Sequence, residues 1–377
     1  MNVFDGRHYR INKFFLSCVG QWPYQTTRRK YVSLAILFLL FGTQIILCAT
    51  IPSYNNLDVV MDDMTPLMAD LAAIMKLLNA VAQTKKLEKL LTRIQLDYDS
   101  ITTEDELKIM HGYAENGRKF TVMYLGYFMV TMSLFVFPPL IPIMSYNGTG
   151  ERPFIHHTQY FVKPLNYYYL IIFHSYITIF GVVILIVTMD TMLVIIVQHA
   201  CGLFTATGYR LCHIAINDGQ LVDMYPSEEK DESFKNVLLC VRKHQEAIEF
   251  SRLVESYFSA SFFLHAGLNV AGLSLAGFQV YAIATTDVET FFKNCAVFYS
   301  AAGHLLFECV NGQRLIDHSS RVHEYLIDMK WYHTSLRTRK IISLMILRTQ
   351  HPCVLTAASM FVISMETFSL IYCYLNV

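Results

Sequence analysis

The chain has 377 residues, 54% of them hydrophobic and only 16% charged, with a mean hydropathy of +0.35. A soluble domain carries roughly a quarter charged residues, so this is the composition of a membrane protein. Lysine plus arginine balance aspartate plus glutamate at 30 each, which excludes a nucleic-acid partner held by net charge.

The N-terminal segment holds Arg7, Arg10, Lys13 and Arg28-Arg29-Lys30 around a short apolar run, Phe14 to Val19. That run is too short for a cleaved signal peptide, and no small-residue cleavage site follows it. The first long apolar run, from Tyr31, predicts an uncleaved signal anchor. Spanning a bilayer takes roughly 20 apolar residues as a helix. Runs at about 31–51, 120–144, 168–200, 256–284 and 353–375 qualify. Two weaker runs also read as helices with an apolar majority. Residues 59–82 carry Asp62, Asp63, Asp70 and Lys76, and residues 290–312 carry Lys293 and Glu308. The expected fold is all-α, a single domain of seven transmembrane helices.

Lysine and arginine concentrate in the segments that stay inside the cell. Placing the N-terminus inside puts all but four of the 30 basic residues in 1–30, 84–119, 201–255 and 313–351. The exceptions are Lys76, Arg152, Lys163 and Lys293. The expected N-terminus is therefore cytoplasmic and the C-terminus extracellular. The chain's one Asn-x-Ser/Thr sequon, at Asn147, then falls in the longest outer loop, 145–167, where a glycan can be attached. This is the reverse of a G-protein-coupled receptor. In agreement, none of the nine cysteines falls in an outer loop, no Asp-Arg-Tyr follows the third span, and the last span lacks Asn-Pro-x-x-Tyr.

Pro138, Pro139 and Pro142 predict a break in the third helix near its outer end. The fourth apolar run is longer than a bilayer requires, which predicts a helix that continues inward. Phe234, Val237, Leu238, Val241 and Ile248 recur at helical spacing into the fifth span, and Leu336, Ile341, Leu344, Met345 and Leu347 do so among basic residues. Such amphipathic extensions need an apolar partner, so a packed inner anchor domain that joins subunits is expected, against the alternative of helices lying on the inner leaflet.

Ionisable side chains inside spans are costly and often functional. Asp190 and Glu308 lie near inner ends, where structural pairing is the expected role. Asp70 and Glu366 lie deeper. His174, His265 and His304 read as satisfied polar residues of a bundle, and His156-His157 as a solvated pair rather than a metal site. No catalytic constellation, metal-ligand spacing or phosphate loop is visible, so neither an enzyme nor a cofactor is expected.

Late in the chain stand Cys309-x-x-Gly312-x-x-Leu315-x-x-x-Ser319-x-x-Val322, Trp331-Tyr332, Arg348-Thr-Gln-His-Pro352 and Ser364-Met-Glu-Thr-Phe368. With Asp190-Thr191 and His199-Ala-Cys-Gly202-Leu-Phe204 in the fourth span, these resemble the insect odorant receptor family. One departure is Ile327, where the family usually has Tyr four residues before the Trp. The resemblance implies four subunits around a central cation pore lined by the seventh helix. The partner it implies is a shared co-receptor, in a heterotetramer in the plasma membrane of olfactory sensory neurons. The co-receptor itself has a much longer second inner loop, so this chain resembles a tuning subunit that binds a small volatile odorant.

The family's pocket lies in the outer half of the bundle, and a volatile ligand calls for aromatic and methionine walls. Met64, Met68, Met132, Phe135, Phe137, Phe173, Ile177, Phe278 and Tyr281 are the expected lining. By the same resemblance Met365, Glu366 and Phe368 belong to the pore helix. Relative to the family's seventh helix, the stretch after Phe368 is short, and a truncated gene model is the favoured explanation over a short subunit. The alternatives are a G-protein-coupled chemoreceptor, a gustatory receptor, whose last-span Thr-Tyr and Gln-Phe pairs are missing here, and a secondary transporter, for which no internal repeat is found.

Overall fold

The apolar run at 168–200 becomes the centre of the molecule. In the computed structural model, which describes residues 3–48, 57–145, 154, 166–214, 223–227, 230–283 and 288–375, it is part of one helix, α6 (Tyr168–Cys212). From Val187 to Gly202 every side chain of α6 is buried. A helix that is apolar on all sides has only one stable place, inside a ring of other helices. That ring consists of α2 (Thr27–Cys48), α3 (Leu57–Ala82), α5 (Glu104–Ser145), α7 (Glu232–Ile283) and α8 (Val288–Asp328). Among the described residues the fold is all-α apart from one short hairpin.

Four of these helices, α2, α5, α6 and α7, are individually long and apolar enough to cross a membrane. Their outward faces carry Leu39, Met129, Val130, Ile141, Tyr169 and Leu170, all well exposed. Large exposed apolar surface on every side of a bundle is what lipid contact requires. The predicted spans are thus segments of longer helices. The third begins at Glu104 rather than near 120, the fourth runs on to Cys212, and the fifth is the end of a 52-residue helix.

Two expectations are corrected. The prolines do not break the third helix, because α5 continues through Pro138, Pro139 and Pro142 to Ser145. The Tyr176 hydroxyl on α6 donates to the Val136 carbonyl at 3.2 Å, tying the proline-bearing turn to its neighbour. The seventh run, 353–375, is not one helix. Thr356–Ala357 (β1) pairs antiparallel with Phe361–Val362 (β2) through a turn that puts Ala358 and Ser359 at φ +48° and +61°. The hairpin docks on α7, where the Ala358 N–H donates to the carbonyl and hydroxyl oxygens of Ser259. Backbone groups satisfied in this way are not available for a helix. Helix α10 (Met365–Leu375) starts only after Ser364, whose hydroxyl accepts the Thr367 N–H as an N-cap. Its 11 residues reach about 16 Å at 1.5 Å per residue.

At the end rich in lysine and arginine, α1 (Arg10–Cys18), α4 (Thr84–Asp99) and α9 (Leu336–Thr349) pack around the extended ends of α5 to α8. α3 and α4 meet at 69°. α4 is amphipathic: Leu87, Leu90, Leu91 and Ile94 are fully buried at spacings of three and four. They join Phe204, Leu211, Val237, Leu315, Val322 and Ile342 in one core.

Candidate ligand cavity

Opposite the basic end, α6 is no longer buried all round, and a cavity of about 180 Å³ opens between α2, α3, α5, α6, α7 and α8. Its walls follow helical phase. α5 contributes Phe128, Thr131, Met132 and Phe135; α6 contributes Ser175, Thr178, Ile179, Val182 and Ile186; α8 contributes Val297, Ser300, Ala301 and His304. Spacings of three and four put each set on one face of its helix. Gly272 on α7 adds to the volume, since nothing lies within 4 Å of where its Cβ would stand.

Of the predicted lining, Met68, Met132 and Phe135 are on the cavity wall. Met64 is half-buried and off it. Phe137, Phe173, Ile177, Phe278 and Tyr281 are exposed on the outside of the bundle, Tyr281 the most so. Phe137 lies two residues past Phe135, or about 200° around the helix, and Phe173 stands in the same relation to Ser175. Depth within a span does not fix which side a residue faces; helical phase does. The spacing of small and polar residues within the spans, Ser175-Thr178-Val182 and His265-Asn269-Gly272, is the signal that would have located the wall.

The end of the cavity nearer the basic end is polar. His304 and Asn269 line it, with the Asn269 amide nitrogen 2.7 Å from His304 Nδ1. Beyond His304 lies a fully buried charge cluster. Lys76 bonds the carboxylate of Asp190, lies 2.7 Å from His304 Nε2, and reaches Glu308 Oε1 at 3.4 Å. The Tyr124 hydroxyl donates to the other oxygen of Asp190 at 2.6 Å. His304 Nε2 is 3.2 Å from Asp190 and 3.5 Å from Glu308. Asp190, His304 and Glu308 have the composition of a metal site, but the Lys76 ammonium touches all three and supplies the positive charge between them. The expected structural pairing of Asp190 and Glu308 thus has its cation in Lys76, one of the four basic residues outside the inner segments.

The remaining predicted residues separate. On α10, Met365 and Phe368 pack half-buried against the core, while Glu366 is exposed. Asn147 lies outside the described residues. Gly312, from the quoted motif, has a clear task. A Cβ there would collide with the Ile363 carbonyl, so α8 and the segment leading into α10 meet at glycine distance.

A family model described as 7tm Odorant receptor matches residues 56–373. Odorant receptor 22c of Drosophila melanogaster is 22% identical over 360 residues, covering 91% of this chain and 88% of that protein. The odorant receptor coreceptor of Aedes aegypti is 24% identical over 129 residues, 34% of this chain and 27% of that one. In three dimensions the chain is similar to the insect olfactory receptor OR5 from Machilis hrabei, with a TM-score of 0.77 at 12% identity over 97% of this chain and 95% of that one. A structure of the same receptor in complex with eugenol gives a TM-score of 0.76.

Proposed function

This chain belongs to the 7tm Odorant receptor family, and on that premise we propose that it is the odorant-binding subunit of a ligand-gated, non-selective cation channel completed by a co-receptor. The observation that carries the reading is the cavity. It is enclosed by six helices, walled by Met68, Met132, Phe128 and Phe135, and bounded by polar groups at one end. A cavity of about 150 Å³ holds benzene, so about 180 Å³ suits a volatile molecule of one ring with a short substituent. That the similar OR5 receptor has a eugenol complex supports a small aromatic ligand.

Similarity to a co-receptor supports a shared mode of assembly. In this reading the basic end is cytoplasmic and anchors the subunits, and Asn147 is extracellular and open to glycosylation. Met365, Glu366 and Phe368 stand on the helix nearest the pore, with exposed Glu366 turned to a neighbouring subunit or the conduction path. The site of action is the plasma membrane of olfactory sensory neurons.

The test is current recording from cells expressing the chain with and without a co-receptor. Odorant-evoked inward cation current is expected only with it, and it should survive block of G-protein signalling. Gly272→Leu should then abolish the response while surface expression persists, because the added side chain has open space to enter. An unchanged response in that variant would move the ligand site elsewhere.

A further inference from the structure

We propose that the cavity selects protonated primary amines, with Asp70 as the group that recognises the ammonium. This rests on the reading of the cavity as the odorant site and adds the chemistry of the ligand. Asp70 lines the cavity and is 3% exposed, and its Oδ2 has no hydrogen-bond partner among the described residues. Burying a carboxylate without a counter-charge is costly, and a cationic ligand supplies one.

The other open polar atoms point to the same ligand. Gln44 Oε1 and His265 Nε2 are also buried on the lining without partners. An imidazole protonated on Nδ1 leaves Nε2 as an acceptor. With His265 in that tautomer the open set, Asp70 Oδ2, Gln44 Oε1 and His265 Nε2, is three acceptors. Several donors on the wall are committed: Thr131, Ser175 and Thr178 hydroxyls return to carbonyls of their own helices, and Asn269 is turned to His304. An ammonium presents three N–H donors and no acceptor. An alcohol presents one donor.

Charge balance agrees. Asp70, Asp190 and Glu308 are all buried, and no ion pair to Asp70 is found among the described residues. Lys76 is committed to Asp190 and Glu308, six residues or about 9 Å further along α3 from Asp70. Lys293, buried nearer the start of α8, does not line the cavity. Aromatic walls from Phe128 and Phe135 complete a site for an arylalkyl amine.

The experiment compares 2-phenylethylamine, 2-phenylethanol and propylbenzene, which share one skeleton, on the full chain expressed with a co-receptor. A charge-assisted hydrogen bond is worth roughly 1.5–3 kcal/mol, so the amine should be at least about tenfold more potent than the alcohol, with the hydrocarbon weakest. Asp70→Asn should collapse the amine-to-alcohol potency ratio by at least about tenfold. Equal potency of amine and alcohol on the unmodified chain overturns the proposal without need of any variant, as does an unchanged ratio in Asp70→Asn. Gly272→Leu separates this from failure of the site itself. If alcohol responses are strong and vanish in Gly272→Leu while amines never act, the cavity stands and the amine assignment falls. If amine responses survive Gly272→Leu, both fall.

Discussion

The ammonium of Lys76 on α3 bonds the carboxylate of Asp190 at the middle of the central helix, and both are buried. Glu308 and His304 complete the cluster from α8. Removing one member of such a cluster leaves the others as uncompensated buried charge, which costs roughly 3–5 kcal/mol. Lys76→Met should therefore reduce surface expression severely. The triple variant Lys76→Met, Asp190→Asn, Glu308→Gln should recover much of it, because the charge is removed together with its partner. Surface labelling decides between this and a merely local role, for which the triple variant would be no better than the single one.

The phase of the cavity wall makes an ordered prediction. Phe135→Ala enlarges the cavity and should change odorant potency by roughly tenfold or more, since aromatic truncations remove several kcal/mol of contact. Phe173→Ala and Phe278→Ala, on the outer surface, should leave odorant ranking within about threefold. Dose–response curves for the three variants on one odorant panel measure the order. A larger effect from Phe173 than from Phe135 would place the site on the outer face.

The α8–α10 junction is the next test. Gly312 abuts the Ile363 carbonyl, and Met365 follows two residues later. On the same face of α8, His304 lines the cavity two turns away. Gly312→Ala must displace the segment that carries α10, so maximal current should fall several-fold while the half-maximal odorant concentration moves little. A wild-type current amplitude at equal surface density would show that this close approach is dispensable for gating.

At the basic end, burial and the neighbouring Arg348 hold the His244 imidazole at about 4, below its ordinary 6.5. Between those values the unfolded chain binds a proton that the folded chain refuses. Stability is therefore full above pH 6.5, declines as pH falls toward 4, and loses about 3 kcal/mol at most from this group. His244→Leu should flatten the acid limb of a thermal-melt profile of the purified complex. A profile as steep as the parent's would assign the acid sensitivity to other groups.

Composition and the distribution of lysine and arginine determined the class of this protein from sequence alone, because hydrocarbon tolerates few charges and apolar runs of bilayer length have few other uses. Long helices from the first six runs followed for the same reason, as did the inner part of α7 and the amphipathic helix α9, whose period of 3.6 is local information. The path of residues 353–364 was not legible, since an apolar run looks the same whether its backbone groups bond within a helix or, as here, to a hairpin and to Ser259. The cavity and the charge cluster belong wholly to the tertiary structure. Lys76, Asp190 and Glu308 are more than a hundred residues apart in sequence, and Met132 differs from exposed Met129 by little except the angle at which its helix meets the bundle. Side-chain type is written in the sequence, but the neighbour it faces is set by how six helices are rotated against one another.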